Sequence, residues 1–267
     1  MSHNCGLWCR PMFSDDDIWL KNFSASLPGS YRNRYGSEEI RMHAAISRAR
    51  GSQPARVGVV PVEGDGLGIC VVAQDQPGLF SNIAAALRLQ GFDIVHAEAY
   101  TRRMDGGERE VLDLFRLQVQ QGRTMDTSAA TDIAASIAAT LQDLIAGKID
   151  PSQALPAPQA EPMGTFHDTR VRFIEDGDGA LCTLEVETDD RSGLLLTLAR
   201  ALSQQKVSVE RSEVRTLAKR VSDRFTLAEQ DGTPISEGRR LNIQVAVISA
   251  IESLVWTPRN STRPPKQ

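Results

Sequence analysis

Asp75-Gln-Pro-Gly-Leu-Phe80 marks the point where one periodicity in this chain ends and another begins. Before it, Leu67 to Ala73 is a short apolar run of strand length. After it, Leu79, Ile83, Ala86, Leu87 and Gln90 recur at helical spacing and describe one inward stripe, closed by Gly91. Pro77 suits a first helical turn, because its missing N–H would find no partner there anyway. The passage then returns as Asp190-Arg-Ser-Gly-Leu-Leu195. Identical residues follow at one constant offset: Gly78/Gly193, Leu79/Leu194, Ala84/Ala199, Ala86/Ala201, Leu87/Leu202, Gln90/Gln205, Glu98/Glu213 and Thr101/Thr216. An internal duplication therefore organises the chain.

Working outward, each copy has the same order of elements. Val57 to Val62 and Leu67 to Ala73 precede the first turn as strands, and Arg170 to Ile174 and Leu181 to Thr188 precede the second. A strand pair follows each helix, Phe92–Thr101 with Val111–Gln118 and Val207–Thr216 with Val221–Ala228. A second helix closes each copy, with stripes Ile133, Ile137, Leu141, Leu144 and Leu241, Val245, Ile248, Ile251, Val255. The fold class is α+β, two ferredoxin-like βαββαβ units with antiparallel sheets. That topology needs a strand after the second helix. Arg170–Ile174 is placed to serve the first unit, and Arg56–Val62 is expected to cross over and complete the second, interlocking the units by exchanged edge strands. The boundaries are a partly disordered leader at 1–54 with one helix over Glu38–Ala49 capped by Ser37, units at 55–145 and 169–256, a Pro-rich linker at 146–168 and a disordered tail at 257–267. Trp8 and Trp19 are unusual for a disordered leader and are expected to dock on the folded part or on a partner.

Composition excludes several classes. Thirty basic against 34 acidic side chains give a net charge of −4, which argues against nucleic acid as an obligate partner. No apolar run reaches the roughly 18–20 residues of a membrane span, and the first residues lack the apolar centre of a signal peptide, so the expected location is the cytoplasm with no membrane partner. Four cysteines are too scattered for a disulfide framework; Cys70 and Cys182 read as strand packing residues. No nucleophile and base stand at a telling spacing, His167-Asp168 is an isolated pair, and His3, Cys5 and Cys9 form only an incomplete ligand set. Neither an enzyme nor a cofactor or metal requirement is expected.

The Asp-x-Pro-Gly-Leu-Phe passage followed by Gly91-Phe-Asp-Ile-Val95 resembles the ACT domain, a small ligand-binding module attached to many enzymes of amino-acid metabolism. The resemblance covers about Tyr31 to Val255, and the tandem arrangement is similar to an ACT pair found in bacterial nitrogen control. It implies a non-catalytic regulatory protein that binds an amino acid such as glutamine and acts on a regulated enzyme or signalling protein. It also implies that Asp93 and Ser208, near the start of the second strand of the facing unit, grip the ligand, with Ile94 beside Asp93. At Ala73 the chain departs from a position that can be polar in binding members.

The residues themselves offer a matching chemistry. Free N–H groups at Gly78, Leu79 and Phe80 suit a carboxylate, and Gly78 allows close approach. Asp75 suits an ammonium. Gln76 and Pro77 complete the first turn; Asp190, Gly193 and Leu194 are their counterparts in the second. The alternative is that Asp75 and Asp190 cap helices and the glycines serve turns, leaving an assembly module with a vestigial site. Homodimerisation is expected, because helices cover one sheet face and the other must be covered or solvated: Cys70 and Val72 favour a cover in the first copy, Glu185 and Glu187 favour solvent in the second.

Overall fold

A computed structural model describes residues 15–104, 106–120, 129–155, 169–175, 182–217 and 220–254. Strands β1 (Ala55–Val59), β2 (Leu67–Gln74), β3 (Phe92–Arg103), β4 (Arg109–Val119), β5 (Arg170–Glu175), β6 (Cys182–Asp189), β7 (Val207–Leu217) and β8 (Arg220–Glu229) form one sheet, in the order β1-β2-β4-β3-β7-β8-β6-β5, with every neighbouring pair antiparallel. Helices α4 (Leu79–Leu89) and α5 (Ala130–Ile145) of the first copy and α6 (Leu194–Gln204) and α7 (Glu237–Ser253) of the second cover one face. The sequence expectation of two ferredoxin-like α+β units holds.

The expected strand exchange does not occur. β1 pairs with β2 of its own copy, Val57 opposite Val71, and β5 pairs with β6, Phe173 opposite Leu184. Each unit is thus a permuted ferredoxin-like sheet in which the edge strand precedes the unit instead of following its second helix. A strand joined to its neighbour by a short connection closes a small loop, whereas exchange would order a much longer one. Removing residues 1–62 should accordingly weaken the first copy, not the second.

The two units meet by antiparallel pairing of β3 with β7, in which Glu98 lies opposite Glu213. These two residues hold the same place in the two copies, so a pseudo-twofold axis passes between them. Along this seam α4 packs on α6, and Phe80 of the first copy meets Phe225 of the second edge to face, with ring centres 6.2 Å apart.

The leader is largely helical where it was expected to be partly disordered. Helices α1 (Asp15–Ser26), α2 (Gly29–Arg34) and α3 (Ser37–Arg50) cover the free face of the first unit's sheet and build a second core. Phe23, Leu27, Tyr31 and Ala44 pack there against Cys70, Val72, Tyr100, Leu112 and Leu114. Trp19 stacks on Phe23 at 5.5 Å and so docks on the folded part; Trp8 lies outside the described residues. The α3 cap is Gly36, whose N–H donates to Glu39 at 2.8 Å, with Ser37 the first helical residue. The cover that Cys70 and Val72 called for therefore comes from the same chain, while the second unit's outer face is charged, with Glu185 held between Arg172 and Arg224. Burial on that face gives no reason for a homodimer. Cys70 and Cys182 are buried and free.

Two further readings need correction. Helix α7 buries Ile243, Val247 and Ile251 and leaves Leu241 and Val245 exposed, 62% and 56%. In the linker, Pro151–Ala154 forms a 3₁₀ turn against α4, with Ala154 buried. The proposed tail, His3, Cys5, Cys9 and His167-Asp168 lie outside the described residues.

Candidate functional site

Neither Asp75 nor Pro77 plays the helix-start role read from the sequence. Helix α4 begins at Leu79 with Gly78 as its cap and no side-chain cap bond. The Leu79 N–H donates to the Gln76 carbonyl at 3.1 Å and Gly78 sits at φ 79, ψ 1. That is a type II turn with Pro77 and Gly78 at its two centres, which fixes the proline for its φ and the glycine for its positive φ. The second copy repeats the geometry, with Leu194 N–H to Arg191 at 3.1 Å and Gly193 at φ 80. One of the three expected backbone donors, Leu79, is thus already engaged. A Cβ built on Gly78 would lie 3.2 Å from Ser203 Oγ of the other copy, so the turn is also held close to the seam.

Asp75 is free of the capping role and forms an ion pair with Arg109 at 2.8 Å. Arg109 also reaches Glu210 of the second copy at 2.6 Å, tying the turn across the seam. Burial pushes the Asp75 carboxyl up, Arg109 opposes this, and the neighbouring Glu210 adds to it.

The pseudo-twofold arrangement creates two related cavities. The first, about 240 Å³, is lined by Asp75, Gln76, Pro77, Gly78, Leu79 and Phe80 of the first copy, and by Val207, Ser208 and Val209 of the second. The second, about 40 Å³, is lined by Asp190, Gly193 and Leu194 together with Asp93 and Ile94 of the first copy. The ligand-binding candidates Asp75 to Phe80, Asp93, Ile94, Asp190, Gly193, Leu194 and Ser208 each line one of these two cavities, Ala73 lines neither, and Asp93 and Ser208 each face the other copy's turn.

One substitution explains why the cavities differ in size. Arg88 holds the position in the first copy that Ser203 holds in the second. Arg88 projects into the second cavity, where its Nε donates to the Ala154 carbonyl at 2.6 Å and its Nη1 to Ser192 Oγ at 2.8 Å, with Asp93 at 3.5 Å. Arg191 is also buried there and donates to the Ile251 carbonyl at 3.1 Å. Ser203 leaves the first cavity open.

Sequence reasoning missed Arg109, Ser203, Gln230 and, above all, Asp113, all of which line the first cavity. Asp113 is 2% exposed and stands opposite Val71 and Ala99 in the sheet. Its counterpart Asp223 lines the second cavity, is 1% exposed and stands opposite Val186 and Val214. A signal was present: Val111-Leu-Asp-Leu-Phe115 and Val221-Ser-Asp-Arg-Phe225 place an acid at an inward strand position between two core residues. The shorter hairpin of the second copy shifts the offset, so an ungapped comparison does not align them. Burial holds both carboxyls well above the ordinary aspartate range; the charge of Asp75 adds to this for Asp113, as that of Asp190 does for Asp223, and the N–H groups of Tyr100 and Arg215 oppose it. No cluster of three or more acids, histidines or cysteines suited to a metal occurs among the described residues.

In this chain two permuted ferredoxin-like units join edge to edge, with the Asp-x-x-Gly-Leu turn of each facing the other copy across the seam, which is the arrangement that the resemblance to a tandem ACT-domain pair implies. The chain resembles the C-terminal ACT pair of the bifunctional uridylyltransferase/uridylyl-removing enzyme. The enzyme of that name from Xanthomonas oryzae pv. oryzae is 29% identical over 244 residues, covering 89% of this chain and 26% of the relative. That from Xanthomonas axonopodis pv. citri is 27% identical over 242 residues, and that from Rhodospirillum rubrum 31% over 192 residues, 70% of this chain and 20% of the relative. The chain spans about a quarter of the length of the first of these curated relatives. No family model matches the chain.

Proposed function

We propose that this chain is a non-catalytic regulatory module that senses a free amino acid, such as glutamine, in nitrogen or amino-acid metabolism, and that the first seam cavity is its ligand site. The observation that carries this reading is the cavity of about 240 Å³ between the Asp75–Phe80 turn and Val207–Val209 of the facing copy. It is smaller than the roughly 300–1,000 Å³ typical of drug-sized ligands, and its wall mixes carboxylates, hydroxyls and apolar side chains, as a small zwitterion with a partly apolar body requires. Both copies contribute to the wall, so occupancy biases how they pair. Similarity to a nitrogen-control enzyme supports the regulatory setting. The regulated partner is an enzyme or signalling protein, and the setting is cytoplasmic; among the described residues no helix is long and apolar enough to cross a membrane.

For the second cavity a structural role is the better reading, because Arg88 and Arg191 already fill it. The test is a thermal-shift screen of the whole chain against the twenty common L-amino acids, followed by calorimetry. Stabilisation by at least one, lost in Asp75→Ala and retained in Asp190→Ala, is expected. No response to any would leave an assembly module with a vestigial site as the function.

A further inference from the structure

The two seam cavities differ in one chemical respect besides size. Each has a buried aspartate in its wall, Asp113 in the first and Asp223 in the second. The second cavity also contains a cation supplied by the protein, the guanidinium of Arg88. In the first, the equivalent residue is Ser203, and no cation takes its place. Arg109 lines that cavity, but Asp75 and Glu210 already flank it at 2.8 and 2.6 Å. Asp113 accepts from the Tyr100 N–H, while its Oδ1 is buried and has no hydrogen-bond partner among the described residues. A buried acceptor left open is costly, by roughly 1–3 kcal/mol in general, and its presence beside an open cavity points to a missing donor.

We propose that Asp113 is the acceptor for a primary ammonium group of the ligand in the first cavity. The inference deepens the amino-acid reading of the same cavity, and rests on it for the ligand's carboxylate end only. Asp75, the acceptor expected from sequence, already has Arg109 as its partner; Asp113 lies on the next strand of the cavity wall with an oxygen free. An ammonium carries three donors and matches a carboxyl oxygen with no other partner.

The test uses the full chain and calorimetry. The probes are the twenty common L-amino acids, the counterpart of each binder lacking the α-amino group, and the simple amines ethanolamine and putrescine. The wild-type protein should bind the amine-bearing compound at least about tenfold more tightly than its deaminated counterpart, the effect of one charge-assisted hydrogen bond. Asp113→Asn should erase that preference, and Asp223→Asn, at the equivalent strand position, should keep it within about twofold. The comparison of probes on the wild-type chain needs no variant and stands even if Asp113→Asn folds poorly. An amino acid that binds with no dependence on its amino group, or whose preference survives Asp113→Asn, overturns the inference and leaves the amino-acid reading intact. Binding of the simple amines with no amino acid bound sustains the role of Asp113 and overturns that reading. No binding of any probe overturns both.

Discussion

Replacing Glu110 by glutamine should detach or loosen the leader, and the size of the effect follows from its surroundings. Glu110 is 1% exposed on β4, on the sheet face that the leader covers. Its Oε1 receives Arg50 Nε at 2.8 Å, and its Oε2 receives Arg102 Nε at 2.7 Å and Ser47 Oγ at 2.8 Å. Arg102 is itself buried and lies over the Phe23 ring at 4.7 Å. One carboxylate thus balances two buried guanidiniums, one from α3 and one from β3. Glutamine keeps the shape but leaves both cations without a counter-charge. Breaking one buried pair costs about 3–5 kcal/mol, and here two pairs share the acid, so the upper part of that range applies. For a protein of this size a loss of 1 kcal/mol lowers Tm by about 2–4 °C, giving a drop of roughly 8–20 °C. Urea unfolding followed by circular dichroism measures the loss, and Trp19 fluorescence reports whether the leader leaves first. The triple variant Arg50→Met, Arg102→Met, Glu110→Leu should recover most of the stability, because the unpaired charges go with the carboxylate. A loss below about 1 kcal/mol for Glu110→Gln would show that water reaches this cluster, and would refute the docked leader.

Other expectations follow from the seam. Arg88→Ser should enlarge the second cavity towards the first and, with the ligand identified, raise the calorimetric stoichiometry from one to two; Ser203→Arg should abolish binding, and an unchanged stoichiometry in both would refute the account of the asymmetry. Gly78→Val should destabilise by about 2 kcal/mol or more, from the positive φ and the approach of Ser203, and should abolish ligand binding, whereas Gly193→Val should lose stability alone. Burial lowers the His43 pKa from 6.5 to about 4, with Glu39 opposing, and Tyr31 Oη lies 2.8 Å from Nδ1. The unfolded chain then binds more protons between these values, so this contribution, at most about 3 kcal/mol, is present above pH 6.5 and lost as pH falls towards 4; His43→Gln should flatten the stability profile over that window. Leu241→Lys and Val245→Lys should change stability by less than about 0.5 kcal/mol in urea melts, since neither side chain is buried.

The change of period at Asp75 and at Asp190 was enough to locate the units, their helices and the two turns at the seam. It could not decide where the first strand of each copy goes. In a ferredoxin-like sheet the place beside β2 is the same whether the strand arrives from before or from after the unit, and its alternation is identical in both cases. The face of α7 was ambiguous for a similar reason: Leu241/Val245 and Ile243/Val247 are both apolar pairs at helical spacing, and only packing chooses between them. Asp113 was hidden differently. A charged residue within a strand reads as solvent-facing, and only the neighbours Val111 and Phe115, both in the core, show that it points inward.

The open cavity and the docked leader belong to the same two strands. On β4, Arg109, Val111 and Asp113 line the cavity while Glu110, Leu112 and Leu114 meet the leader. On β3, Ala99 and Thr101 line the cavity while Glu98, Tyr100 and Arg102 face the other way. Glu98 receives Tyr35 Oη of the leader at 2.6 Å and Tyr100 Oη at 2.8 Å, and it also sits at the pseudo-twofold axis opposite Glu213. A shift of β3 relative to β7 that accommodates a ligand must therefore move a residue to which the leader is hydrogen-bonded. In the second unit β8 lines the smaller cavity with Val221 and Asp223 and, from its other face, Arg224 pairs with Glu185 of β6, which Arg172 of β5 also holds. The copy with the open cavity is the copy whose opposite face carries helices, so under the proposed sensing function the sheet of the first unit is where occupancy has a physical route to the rest of the chain.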